Sequence, residues 1–547
     1  MAGAISAGAY TAGVMDYLFE SLERWETAKQ IWPDKVPQHN VVIDALTGAS
    51  AGGMTAAIAS AALQTKFAPV RSESMNDDTV TQQNKFYDAW INLNGDANML
   101  ISLLSNSDIK KDKLKSFING EFIDQIANRL ISVPEGSKFY NRPYIADKLE
   151  IWVSLSNLTG FPIKIEFNKD NERPDNYISY NHMDFAHFAV YKEQTESLLH
   201  EIAVNFKDPA DMGKLILAQA AMATGAFPVG LPSRIVQRPR SFFINNTIYK
   251  NFLQFNINPD DLPAPDEKGF LKHLFVDGGT LNNEPFDVTE YILRKRIDLQ
   301  NNEWQHTILM IDPFPSMESG KPSQPDTDAG LVSLFGKLAN MLMQQPLVKT
   351  EDLESALSRS DYKRFLIAPR RDVPTDKGDQ TKNGGAAIAC GSLGGFGGFL
   401  AKGFRQHDFL LGRYNCQRFL QKHFSVKIND NNLVSRAYEN KAIRDAFIVQ
   451  PDKESTLLFV PIIPDVDPLT GEKMKSELLP EWPVDAPYKE KNLQLIEPIL
   501  RNRINGMTGN YLSGLPFWLF KLLASKKLSG NVIEIIEKQL KRHHLTT

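Results

Sequence analysis

The 547-residue chain exceeds what one hydrophobic core ordinarily serves, so two or three structural units are expected. Its composition, 42% hydrophobic and 23% charged, is ordinary for a globular chain, and a formal net charge of −4 gives no overall field that would attract nucleic acid. No apolar run reaches the ~18 residues a membrane-spanning helix needs, and the ten histidines, without CxxC or HExxH, exclude the usual metal-ligand spacings.

In chain order, Gly3-Ala4-Ile5-Ser6-Ala7-Gly8 is a small-residue loop, and apolar positions at helical spacing from Val14 to Trp25 predict a helix over 9–31. Val41–Leu46 reads as a short buried strand running into Thr47-Gly48-Ala49-Ser50-Ala51-Gly52, followed by small residues that suit a tightly packed helix. Residues 66–148 read as a polar, mostly helical insertion. Strands are expected at 149–155, 163–167, 274–276 and 308–311, and a helix at 215–223. Short apolar strands alternating with helices define an α/β class over residues 1–315. Residues 316–547 read as a mainly helical extension, interrupted by strand-like runs at 365–368 and 457–460 and by the Gly-rich patch 391–398. Cys390 and Cys416 fit either one disulfide or two thiols in a reducing cytoplasm.

Three elements carry chemistry. Gly48-Ala49-Ser50-Ala51-Gly52 fits GxSxG between a strand and a helix, where flanking glycines let a strained turn expose its serine. Gly3–Gly8 offers backbone N–H groups that can converge on one oxygen. Asp277-Gly278-Gly279 ends an apolar strand, the edge at which open α/β sheets bind ligands. Alone, each also reads as an ordinary tight turn. The order Ser50…Asp277…His306 formally satisfies a Ser-His-Asp triad. However, only one helix and one strand precede Ser50, and His306 stands before a strand rather than after one. Asp277 acting directly on Ser50 fits better.

This combination resembles the patatin-like phospholipase family, on Gly3–Gly8, Gly48–Gly52, Asp277–Gly279, Ala223-Thr-Gly-Ala-Phe-Pro228 and Asn283-Glu284-Pro285. The resemblance covers about residues 1–315. It implies a three-layer α/β/α sandwich and a Ser50–Asp277 dyad, with Gly3, Ala4 and Ile5 around the oxyanion and Gly48 and Gly52 at the nucleophile elbow. It further implies acyl-ester hydrolysis of a lipid at a membrane surface, with no metal or organic cofactor. Phe404–Phe409 and Gly412–Asn415 are similar to an extension of some large bacterial members. The alternative is a catalytically silent lipid-binding or scaffolding protein that keeps the pocket.

Two departures stand out. Ala7 occupies a position where the family usually carries Arg, and almost no residues precede the glycine loop to build the strand it should follow. The sheet therefore either takes a strand from upstream of Met1 or lacks one. The N-terminus as it stands has no signal-peptide pattern, so a cytoplasmic, peripherally membrane-associated protein is expected, with export left open by an upstream segment. His407 and Asp408 are expected in a buried packing network with Arg405. Leu515–Ala524, rich in Trp and Phe and followed by lysines, is the candidate interfacial helix.

Overall fold

The computed structural model describes residues 1–93, 99–110, 113–134, 136–165, 177–193, 200–244, 246–251, 253, 255–296, 306–315, 364–373, 379–428, 433–449, 457–511, 518, 521 and 524–546. The architecture is an α/β sandwich. Helix α1 (Gly8–Ile31) leads to β1 (Ile43–Gly48), the elbow, and α2 (Ala51–Ala62). The main sheet continues with β2 (Ile145–Ile165), β3 (Tyr177–Tyr191), β4 (Ile202–Ala203), β5 (Arg234–Pro239) and β6 (Phe270–Asp277). Its order is β4-β3-β2-β6-β5, with β1 alongside β2.

The long strand β2 organises this sheet. One edge pairs antiparallel with β3; the other pairs parallel with β1 through Val153 and antiparallel with β6 from Leu155. The two strands expected at 149–155 and 163–167 are thus one, with a register shift between Ser156 and Phe161. Because β1 and β6 share an edge of β2, the loops after both strands, carrying Ser50 and Asp277, meet there. Helix α3 (Met212–Thr224) packs on this sheet, and α4 (Phe286–Arg296) lies against β1. A separate parallel pair joins β7 (Ile308–Ile311) to β8 (Arg364–Ile367). Within 66–148 the described residues form short helices such as Asp78–Gln83 and Glu121–Ile131.

The C-terminal region contributes helix α5 (Lys402–Lys422), which packs along α1. Two glycines permit it: a Cβ at Gly13 would lie 1.9 Å from the Phe409 carbonyl oxygen, and one at Gly412 would lie 2.2 Å from that of Tyr10. Buried side chains of both helices belong to one hydrophobic cluster. Cys390 and Cys416 are both buried free thiols. The expected boundary at 316 and most of Leu515–Ala524 lie outside the described residues; Trp518 is exposed. Among the described residues, no helix is long and apolar enough to cross a membrane.

A buried ionic network ties α1 to this region. The Arg413 guanidinium pairs with Asp16, with Glu20 at 2.6 Å and with Glu477 at 2.6 Å, while Arg24 reaches Asp465 at 2.8 Å. Burial pushes the Asp16 carboxyl up to about 7 despite Arg413 beside it. Burial also opposes ionisation of Glu20, but the guanidiniums of Arg413, Arg24 and Arg71 hold it down at about 2. Removing one partner of such a network leaves uncompensated buried charge. Arg413→Ala is therefore expected to cost about 3–5 kcal/mol in urea unfolding, and a loss below about 1 kcal/mol would place the network among the weak pairs.

Candidate active site

The elbow is built from backbone crowding. Ser50 sits at φ 50°, ψ −128°, a conformation side-chain-bearing residues seldom adopt. The turn closes because its neighbours are glycines. A Cβ at Gly48 would lie 2.3 Å from the Gly52 carbonyl carbon, and one at Gly52 would lie 2.2 Å from the Met1 carbonyl oxygen. The Ser50 N–H donates to Thr224 Oγ1 at 2.9 Å, so the end of α3 anchors the strained residue. The following helix α2 directs its N-terminal amides toward the site.

The Ser50 hydroxyl donates to Asp277 Oδ2 at 2.7 Å, and both residues are buried. The Gly279 N–H donates to Asp277 Oδ1 at 2.8 Å, orienting the carboxylate. The Asp277 backbone is fixed in turn, donating its N–H to Ala226 and accepting from the Ser156 hydroxyl through its carbonyl. Burial pushes the Asp277 carboxyl up to about 7, against the hydrogen bonds from Ser50 and Gly279. A carboxylate so placed is a stronger base than an exposed one.

The glycine loop lies beside this pair: a Cβ at Gly3 would fall 2.8 Å from Ser50 Cβ. The Gly3 N–H, however, donates to the Asn283 carbonyl at 3.2 Å, which commits the first of the three expected oxyanion donors elsewhere. Ala4 and Ile5 remain. Ile5 has φ 47° and opens a short 3₁₀ turn, where N–H groups lack partners within the turn.

Ser50 and Asp277 open onto an apolar cavity of about 110 Å³, whose walls include Ile5, Met54, Trp90, Ile126, Phe227 and Phe396. A larger cavity of about 860 Å³ lies on the far side of β1 and contains neither residue. His306 lines that larger cavity, and among the described residues no histidine lines the smaller one. His407 does not line Ser50's cavity either. Its Nδ1 meets Asp408 at 2.7 Å, while Arg405 donates to the carbonyls of Gly398 and Ile91 rather than joining them.

Residues of the C-terminal region and the glycine loop hold the cavity wall in ways the sequence does not announce. Asp408 accepts the N–H groups of Ala389 and Cys390, both at 2.8 Å, and so anchors the Gly-rich segment that follows. The Ser6 hydroxyl donates to the Gly395 carbonyl and accepts from the Gly398 N–H, holding that segment against the glycine loop. It brings Phe396 and Phe399 into the cavity wall. The glycine density of 391–398 marks the segment, but nothing in its sequence names Ser6 as its partner.

Gly52→Ala is expected to cost about 1–3 kcal/mol by overpacking, whereas Gly530→Ala, with open space around its would-be Cβ, should be neutral or stabilising. Thermal unfolding of both variants checks this. Equal effects would contradict the crowding account.

The sequence profile of patatin-like phospholipases matches residues 1–289. An uncharacterized protein, y4iI, of Sinorhizobium fredii (strain NBRC 101917 / NGR234) is 30% identical over 525 residues, spanning 88% of this chain and 71% of its own. With the elbow, the carboxylate and the glycine loop meeting beside one apolar cavity, the chain belongs to the patatin-like phospholipase family.

Proposed function

We propose that this chain is a serine lipid acyl hydrolase working through a Ser50–Asp277 dyad. The observation that carries the reading is the buried 2.7 Å hydrogen bond from Ser50 Oγ to Asp277 Oδ2 at the mouth of an apolar cavity. Family membership supports acyl-ester hydrolysis as the reaction class.

In the proposed reaction, Asp277 accepts the hydroxyl proton as Ser50 Oγ attacks the ester carbonyl carbon. The developing oxyanion is held by the N–H groups of Ala4 and Ile5. Collapse breaks the bond to the leaving alcohol, which takes the proton from Asp277, and leaves an acyl-enzyme. Water then attacks the acyl carbon with Asp277 again as base, releasing the fatty acid and restoring the serine. The acyl chain lies in the apolar cavity, against Trp90, Phe227 and Phe396. Hydrocarbon burial there favours lipid esters over small polar ones. The substrate is met at a membrane surface without a metal or organic cofactor.

The rival reading, a silent lipid-binding protein, differs in one respect: its serine turns nothing over. Ser50→Ala should lower hydrolysis of a p-nitrophenyl acyl ester by at least about a thousandfold while Tm is retained. His306→Ala should stay within about tenfold of wild type. Residual turnover of more than a few per cent in Ser50→Ala would move the nucleophile elsewhere.

The elevated Asp277 pKa yields a second test. As a base, Asp277 must be ionised, so kcat/KM should fall as pH drops through about 7. For stability the sign is opposite. A folded pKa raised above the unfolded one contributes stability at low pH that is lost as pH rises through about 7. Asp277→Asn should therefore abolish turnover yet gain on wild type by about 1.4 kcal/mol between pH 6 and 8.5. Paired thermal melts at the two pH values measure this, and a constant gap between the proteins would contradict it.

A further inference from the structure

The glycine loop carries its strain at one residue. Ile5 has φ 47°, a left-handed conformation that is unfavourable for a β-branched side chain. Its own N–H is one of the two proposed oxyanion donors. Among the described residues the Ala4 and Ile5 N–H groups donate to no backbone carbonyl, whereas those of Gly3 and Ala7 donate to Asn283 and Ala4. The turn Ile5–Ala7 has Ala4 at its N-cap position, which offers no side-chain hydrogen bond. The loop therefore does not hold Ile5 in place by itself.

The restraint comes from the C-terminal region. Leu393, Gly394 and Gly395 take successive left-handed conformations, with φ 54°, 64° and 97°, and turn the chain back toward the loop. Gly395 packs on Ile5: a Cβ there would lie 3.4 Å from Ile5 Cδ1 and 3.5 Å from Ile5 Cβ. One residue on, the buried Ser6 hydroxyl donates to the Gly395 carbonyl and accepts from the Gly398 N–H at 3.0 Å. The turn is anchored from behind as well. Arg405, buried in the first turn of α5, donates to the Gly398 and Ile91 carbonyls, and Asp408 holds the amides of Ala389 and Cys390. Residues 389–408 lie beyond residue 289, where the family match ends.

We propose that the turn 393–398 is a clamp that sets the oxyanion donors, with Ser6 as the positioning residue through which it acts. The inference rests on the hydrolase reading above. Relaxation of Ile5 to negative φ would swing the Ala4–Ile5 peptide, and with it the Ile5 N–H, out of its present direction. Gly395 against the Ile5 side chain and two bonds on the next residue oppose that rotation from both sides. The consequence is kinetic, because donors stabilise an oxyanion only when aimed where its charge develops. A displacement of about 1 Å can lower the rate about a hundredfold. The substrate carbonyl carries little of that charge before attack, so the clamp governs kcat rather than KM.

The test uses the full chain and a p-nitrophenyl acyl ester, with kcat expressed per Ser50 titrated to completion by a fluorophosphonate. Ser6→Ala removes both bonds. Gly395→Ala, at φ 97°, strains the turn and crowds Ile5 while leaving the Ser6 hydroxyl in place. Each variant is expected to lose at least about tenfold in kcat per titrated site, with KM within about threefold. The pH dependence through about 7 that Asp277 sets should not move. A merely structural role gives a different result: fewer titratable sites, each turning over at the wild-type rate. That result in either variant overturns the proposal, as does a loss carried by KM. Where one variant yields no folded protein, the other decides. A wild-type chain that neither labels nor turns over contradicts the hydrolase reading itself, and this inference with it.

Discussion

The structure around Ser50 depends on how closely backbone can approach backbone. Gly48, Gly52 and the carbonyl of Met1 occupy a volume with no room for a Cβ, and this compression holds Ser50 at positive φ. The strain is tolerated because it is tied down from several directions: Thr224 on its amide, Asp277 on its hydroxyl, and the start of α2 directly behind it. Each tie comes from a different part of the chain. The site is therefore a consequence of the whole sheet being assembled, with β2 bringing β1 and β6 to the same edge.

The same economy of space explains why the C-terminal region cannot be treated as a remote appendage. Gly13 and Gly412 let α1 and α5 touch backbone to backbone, and the Arg413 network locks that contact in a buried environment. From the start of α5, Asp408 fixes the segment whose Phe396 and Phe399 line the Ser50 cavity. Ser6 joins this segment to the glycine loop. Packing on α1, ionic pairing and the cavity wall are three links in one chain of contacts from residue 413 to residue 50.

Much of this was legible in the sequence where local chemistry dictates local structure. GxSxG and DGG announced their turns because few residues other than glycine tolerate such approach, and the helices over 8–31 and 212–224 follow their apolar spacing. What stayed hidden depends on long-range partners. Strand β3 carries Asn181, His182 and Asp184 within its length and does not look like a core strand. Its Asp184 accepts from Asn157 and from the Phe185 N–H, but the charge is met by Arg238, with Tyr249 beside it, both more than fifty residues away. The single long β2 reads as two strands in the sequence, whereas Asn157-Leu-Thr-Gly160 forms an irregularity within one strand. The use of the Gly3 amide by Asn283 was likewise invisible, since no spacing rule connects them.

The central claim is that Asp277 makes Ser50 a nucleophile. A fluorophosphonate probe reports this directly, because it forms a covalent adduct only with an activated serine. Intact-mass analysis with peptide mapping should find one adduct, on Ser50, formed at a rate that rises with pH through about 7 and falls at least about a hundredfold in Asp277→Asn. Labelling of Ser50 at an unchanged rate in Asp277→Asn, or no labelling of the wild-type chain at any pH, would contradict the account.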